Sequence, residues 1–279
     1  MKKIFISLVS LFIVLIISSC GGAAGIPINY RSTEITIDGK SDEWGTELKQ
    51  IPDQKIWLGT TNDDKFFYLC LVTEDRIKAM QMMRNGLITW FIPTNNSDAA
   101  FGIKYPMPNK MPKREEMMNL GREMLQPENL SKLVDMFLEK QNEFQVLNKD
   151  KFSLSLLPLE NKDGIKLKIG YTENKFVYEM KVPLAVHEDY TFQIAALPGE
   201  DVKIKFETEQ NEMQAGRSGG MMQGGGGQMG GNRGGGTGQM RGNFPGAGIM
   251  QSFEPLNYST TIKLALPKWN FSYLRENEN

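Results

Sequence analysis

The chain has 279 residues and a net charge of −1, with 40% hydrophobic and 23% charged residues. This near-neutral balance, with no clustered basic face, argues against nucleic acid as a partner. Two cysteines and a single histidine leave little material for a thiol, zinc or triad-based catalytic centre.

Lys2 and Lys3 open the chain, and Ile4 to Ile17 is apolar apart from Ser7 and Ser10. That run has the length of a signal-peptide core and is too short to span a bilayer comfortably. It ends in Ile17-Ser18-Ser19-Cys20, which resembles the bacterial lipobox: an aliphatic residue, two small residues and an obligatory cysteine. The resemblance implies that residues 1–19 are a lipoprotein signal peptide and that Cys20 is the lipidation site. It would carry diacylglycerol on its thiol and an acyl chain such as palmitate on its new amine. At ~0.8 kcal/mol per buried CH₂, several such chains hold a protein stably to a membrane. Gly21 and Gly22 follow in place of the Asp that retains such proteins in the inner membrane. The expected location is the cell envelope, on the periplasmic or outer face of the outer membrane. Removing Lys2 and Lys3 with the signal takes the net charge from −1 to −3. With Cys20 consumed by lipid, Cys70 stands alone, and its apolar setting reads as core.

Residues 20–32 read as the lipidated N-terminus and a short tether, and 33–270 as one folded domain. Thr33–Ile37 alternates polar and apolar residues, the period of a half-buried strand, and Asp38-Gly39 is a turn signal. Lys55–Gly59 predicts a short strand and Thr61–Asp64 a turn. Phe66–Val72 is apolar on both faces, which predicts a central strand. Gly86–Pro93 predicts another, ended by a proline that cannot donate to a ladder. Residues 105–147 break this pattern and predict a helical insertion. Lys113–Leu125 places Met117, Leu120 and Met124 on one face. After Pro127, Leu130, Leu133, Val134, Phe137 and Leu138 follow helical spacing. Strands resume at Phe152–Leu156, Ile165–Ile169, Phe176–Val182, Tyr190–Ala196 and Val202–Phe206. Residues 211–250 hold 16 glycines between Gly216 and Gly248. Such a composition cannot bury enough apolar surface to offset its ordering entropy and predicts a disordered Gly/Met-rich loop. A last strand is expected at Ser259–Leu266, and 271–279 is a tail. Many short strands between turn signals predict a mainly β, antiparallel β-sandwich.

Three segments carry a resemblance. They are Ile35-Thr36-Ile37-Asp38-Gly39-Lys40-Ser41-Asp42-Glu43-Trp44, then Thr61 to Asp75 with its Asp-turn, aromatics and aliphatic strand, then Phe176-Val177-Tyr178-Glu179-Met180-Lys181-Val182-Pro183-Leu184. Their order and content resemble the family 9 carbohydrate-binding modules and the wider DOMON-like group, over roughly 35–93 and 150–206. The resemblance implies a non-catalytic sandwich that binds a carbohydrate between aromatic rings.

A sugar has an apolar face and a polar rim, so its site needs flat rings beside carboxylates and amides. The candidate ligand-binding rings are Trp57, Trp90 and Trp269. Trp57 and Trp90 also suit the core of apolar strands. Haem, which the resemblance also brings to mind, finds only His187, in a polar loop. Thioether sulfur suits Cu(I), and six Met lie between Met107 and Met136 and six between Met213 and Met250. Apolar filling of helices explains the first set. Asp38, Asp42, Asp63, Asp64 and Asp75 match no Ca²⁺-loop spacing, and turn formation explains them. The expectation is therefore no metal, no cofactor and no catalytic residue. The partners expected are a membrane through the N-terminal lipid and either a glycan or an envelope protein. A sandwich serving only as a scaffold for protein contacts is the alternative.

Overall fold

Side-chain alternation sets the architecture. Along Lys175–Pro183, Phe176, Tyr178, Met180 and Val182 enter the main core, while Val177 packs on the opposite side. The structure, a computed structural model, describes residues 26–108, 130–185, 190–209 and 255–267. Cys20 with its signal peptide, the Lys113–Leu125 helix, His187, the 211–250 stretch, Trp269 and the 271–279 tail lie outside the described residues.

Among the described residues the strands are β1 (Ile26–Pro27), β2 (Asn29–Tyr30), β3 (Lys49–Gln50), β4 (Trp57–Asn62), β5 (Phe66–Thr73), β6 (Leu87–Pro93), β7 (Phe101–Tyr105), β8 (Glu143–Asn148), β9 (Ser153–Pro158), β10 (Lys166–Thr172), β11 (Lys175–Pro183), β12 (Asp201–Thr208) and β13 (Asn257–Lys263). A long sheet runs β1-β13-β12-β6-β7-β8-β9, and a short sheet runs β10-β11-β5-β4-β2, with β3 also on β4. Pairing is antiparallel throughout the long strands; only the two-residue β1 and β2 run parallel to their neighbours. The chain is a two-sheet β-sandwich.

The core lies between the sheets. Phe67, Leu69, Leu71 and Met180 of the short sheet meet Phe91, Ile103, Phe144 and Phe206 of the long one. Phe67 and Phe91 pack edge-to-face at 5.9 Å, and Phe91 meets Phe101 at 5.4 Å. The buried Asn62 ties the two layers: its side-chain N–H donates to the Ala265 carbonyl and its Oδ1 accepts from the Ala265 N–H. Among the described residues, two helices flank the sandwich. α1 (Arg76–Asn85) is capped by Asp75, whose carboxylate accepts from the Ile77 and Lys78 N–H groups, and it ends at Gly86 with φ +76°. α2 (Leu130–Leu138) buries Leu133, Val134 and Phe137 and lies against β10.

β5 is central, between β11 and β4, and it is buried on both faces as its sequence predicts. Its outer face carries Tyr68, Cys70 and Val72, which pack under Ile35 and Trp44. Here the motif residues meet. Glu179, fully buried in β11, accepts hydrogen bonds from Trp44 Nε1 at 2.7 Å, Gly39 N at 2.6 Å and Asp38 N at 3.0 Å. Burial pushes the Glu179 carboxyl above its ordinary range, against the three donors that pull it down. Gly39 (φ +84°) turns directly over Gly170 of β10, where a Cβ would stand 2.1 Å from the Gly39 carbonyl oxygen. Trp44 lies on Gly59 in the same manner, 2.7 Å from where a Cβ would be.

Three expectations are corrected. Thr33–Ile37 is not a strand: Thr33 lies in a bend, the Thr36 N–H goes to the Glu43 carboxylate, and the Gly39 N–H of the next turn goes to Glu179. Tyr190–Ala196 forms one isolated bridge, Leu184 to Ile194, instead of a strand. The predicted helical insertion over 105–147 holds α2, but the chain at its end, Glu143–Asn148, is β8, next to the edge strand of the long sheet. Phe144 and Val146 alternate into the core there, a period-two signal too short to stand out after a helix.

Candidate functional site

The strand tryptophans do not meet. In β4, Leu58 packs inward and Trp57 points outward, half-buried beside Trp44 on the short sheet's outer face. In β6, Phe91 points inward, and Trp90 lies on the outer face of the long sheet over Gly102 of β7. The two rings are on opposite sides of the sandwich, so they cannot hold one sugar ring between them. Trp90 is almost fully buried, and its Nε1 donates to Glu207 at 2.9 Å. Burial alone would raise the Glu207 carboxyl, but Lys151, Lys205 and Trp90 all donate to it and hold it at about 2. The cluster is a structural tie between β6, β12 and the β8–β9 turn.

A concave site lies instead at one end of the sandwich, where three connections converge. The β6–β7 connection supplies a short 3-10 turn, Ser97–Ala99, with Asp98. The β8–β9 turn supplies Asn148 to Asp150. Its shape follows from Asn148, whose Oδ1 accepts from the N–H groups of Asp150 (3.0 Å) and Phe152 (2.9 Å), while Lys151 adopts φ +64°. The third wall is the stretch after β11, with Thr191, Phe192 and Gln193, positioned by the Thr191 N–H donating to Asp163 at 3.3 Å. Together they line an open cleft of about 360 Å³, within the size range of small-ligand clefts.

The lining is mixed. Phe101 and Phe192, packed into the main core, and the exposed Leu154 give apolar surface. Asp98, Asp150 and Gln193 give polar atoms. Lys149 Nζ donates to Asp98 Oδ1 at 2.6 Å, joining two of the three walls. That hydrogen bond and charge lower the Asp98 carboxyl and raise the Lys149 ammonium. Gln193 lines the cleft, while its Oε1 is itself shielded from solvent and has no hydrogen-bond donor among the described residues.

None of these cleft residues is evident in the sequence as a site. Phe192 and Gln193 fall in a segment that reads as strand, and no sequence motif singles out Asp98 or Asp150. The available signal is that three turn-rich connections carry carboxylates or amides; which of them meet depends on the sheet order. Among the described residues, no group of three or more His, Cys, Asp or Glu side chains is placed to hold a metal.

No family model matches this sequence, and no curated protein matches it. Among solved structures, the chain is similar to a family 9 carbohydrate-binding module from Caldicellulosiruptor kristjanssonii in complex with cellotriose. The identity is 11% and the TM-score 0.34, over 68% of this chain and 78% of that one. It is also similar to a family 9 module from the same organism in complex with glucose, at 10% identity and a TM-score of 0.30, over 68% and 80%. The two-sheet architecture stands on its own strand order and register.

Proposed function

We propose that this chain is a non-catalytic binding module, held at the cell envelope by lipid on Cys20, whose end cleft takes a neutral, hydroxyl-rich ligand of the carbohydrate class. The observation that carries the reading is the cleft's composition. Phe192 and Gln193 share one cleft with Asp98 and Asp150. A pyranose offers an apolar face to the ring and hydroxyl donors to the oxygens. The sequence motifs at Asp38–Trp44, Thr61–Asp75 and Phe176–Leu184 support the same class through their resemblance to family 9 modules. Lys149 pushes Asp98 toward its ionised form, the opposite of what a glycosidic general acid requires.

A glycan array probed with the purified full chain tests the ligand class. Binding to at least one glycan, lost in Phe192→Ala together with Gln193→Ala, supports the reading; binding to none contradicts it. Incorporation of an alkyne-tagged fatty acid tests the anchor. The wild type should carry the label and Cys20→Ser should not; label retained in Cys20→Ser contradicts the assignment.

A further inference from the structure

Exposed apolar side chains gather at one end of the sandwich. Among the described residues, Phe152 and Leu266 are the most exposed large hydrophobic side chains, at 69% and 63%. Both lie at the end that carries the cleft. Phe152 closes the β8–β9 turn, where its N–H donates to Asn148. Leu266 follows β13 and lies over Gly199, in the Leu197–Glu200 turn that leads into β12. That turn meets the cleft wall: the Asn95 amide, in the β6–β7 connection, donates to Glu200 at 3.0 Å. Leu197 is also exposed, as is Leu154 of the cleft lining. Leu156 lies mid-way along β9, and at the opposite end, where α1 joins β5 to β6, the exposed large hydrophobic is Ile77. Charge at the cleft end is mixed, with Asp98, Asp150 and Glu200 beside Lys149 and Lys263.

The chain joins the sandwich close to this same end. Ile26 begins β1 opposite Ile262, one residue pair short of the Asp201–Lys263 pair that closes β12 and β13 there. Six residue steps separate Ile26 from Cys20, and they reach at most about 22 Å. Setting the opposite end on a bilayer would draw this tether back along β13 from Ile262 past Asn257, about 17 Å of strand. The tether would then be almost fully stretched. Setting the cleft end there requires no such extension.

We propose that the cleft end of the sandwich rests on the phospholipid bilayer that holds the Cys20 lipid, with Phe152, Leu197 and Leu266 entering its interface. The proposal rests on the lipid anchor put forward above. Interfacial contacts of this kind bury apolar side chains about 5–10 Å into the boundary between headgroups and acyl chains. With charge of both signs at this end, the contact relies on apolar side chains and does not require anionic lipid. The cleft then sits at the bilayer surface, and under the carbohydrate reading its ligand is a sugar displayed there. That consequence depends on the carbohydrate reading; the docking does not.

Quenching by labelled lipid tests the orientation. The lipid-bearing protein is reconstituted into phosphatidylcholine vesicles that contain doxyl-labelled phosphatidylcholine. A fluorescent dye is attached to Phe152→Cys, to Leu266→Cys or to Ile77→Cys. With Cys20 carrying lipid and Cys70 buried, the introduced cysteine is the thiol that reacts, and circular dichroism checks that each variant keeps the wild-type fold. The dye at positions 152 and 266 should lose most of its emission. The dye at position 77 should keep it, because an eight-residue strand such as β5 sets the two ends on the order of 25 Å apart. Equal quenching at all three positions, or none at 152 and 266, overturns the proposal. Mass spectrometry of the same preparation separates the two ways of failing. Protein without lipid overturns the anchor and this proposal together; lipid-bearing protein without the contrast in quenching overturns the orientation alone.

Discussion

Replacing Gly170 with alanine is the sharpest test of how the motif residues lock the fold. An alanine Cβ would stand 2.1 Å from the Gly39 carbonyl oxygen and 2.9 Å from its carbonyl carbon. An ordinary close C···O approach is about 3.3 Å, so the Asp38–Gly39 turn must lift by roughly 1 Å. Both contacting groups are backbone, and no side-chain rotation relieves the overlap. The lift stretches the 2.6 Å bond from Gly39 N–H to Glu179 and weakens the neighbouring one from Asp38 N–H. Overpacking costs about 1–3 kcal/mol, and a hydrogen bond to a charged group contributes about 1.5–3 kcal/mol. The expected destabilisation is about 3–5 kcal/mol, a third or more of the stability of a typical domain. Equilibrium urea unfolding, followed by tryptophan fluorescence and by circular dichroism, measures it. Gly45→Ala is the control: Gly45 has φ +41° but nothing within 4 Å of a Cβ, so only the backbone cost of about 1 kcal/mol applies. If Gly170→Ala unfolds within about 1 kcal/mol of the wild type, the close approach of turn and sheet is wrong.

Other outcomes follow from single residues. Glu207 has its folded pKa lowered to about 2, so its stabilisation is present above its unfolded value near 4.5 and is lost as pH falls toward 2. The stability advantage of wild type over Glu207→Gln, about 2 kcal/mol after allowing for the solvent reach of both lysines, should therefore disappear across that window in urea titrations at stepped pH. Tyr178→Phe removes a fully buried hydroxyl that faces the Thr89 hydroxyl. It should cost no more than the ~0.5–1.5 kcal/mol of one neutral hydrogen bond, whereas Phe67→Ala, at the centre of the core, should cost about 3–5 kcal/mol. Glu179→Gln keeps the shape but turns an amide N–H toward donors, and it should lose about 2–3 kcal/mol by the same assay.

Much of this fold is legible in the sequence, because β5, β10 and β11 announce themselves by period and composition. The pairing of motifs is less so. That Glu179 is the acceptor for Trp44 and Gly39 follows only once β11 lies beside β5, with residues 35–44 crossing over them. Gly59, Gly102 and Gly170 read as weak points in strands, yet each leaves room for something to lie flat on the sheet: Trp44, Trp90 and the Gly39 turn. α1 is hidden because its ten residues bury only Ala79, Gln81, Met82 and Met83, too short a stripe to register as a period, although Asp75 and Gly86 mark its two ends. The cleft is the least legible part. Asp98, Asp150 and Gln193 are far apart in sequence, and no sequence motif singles out either carboxylate. Only the sheet order β6-β7-β8-β9, closed by the segment after β11, brings them to one cavity.

The most direct test of the cleft is calorimetric titration of one oligosaccharide, the best binder from the array, into the wild type and into Gln193→Ala. Gln193→Ala removes an acceptor with no donor among the described residues, which leaves stability unchanged or slightly raised, and it takes a polar lining side chain from the cleft, which weakens binding about tenfold. That combination, weaker binding at equal or higher unfolding midpoint, is the predicted result. Unchanged affinity in Gln193→Ala would place the ligand elsewhere and contradict the account.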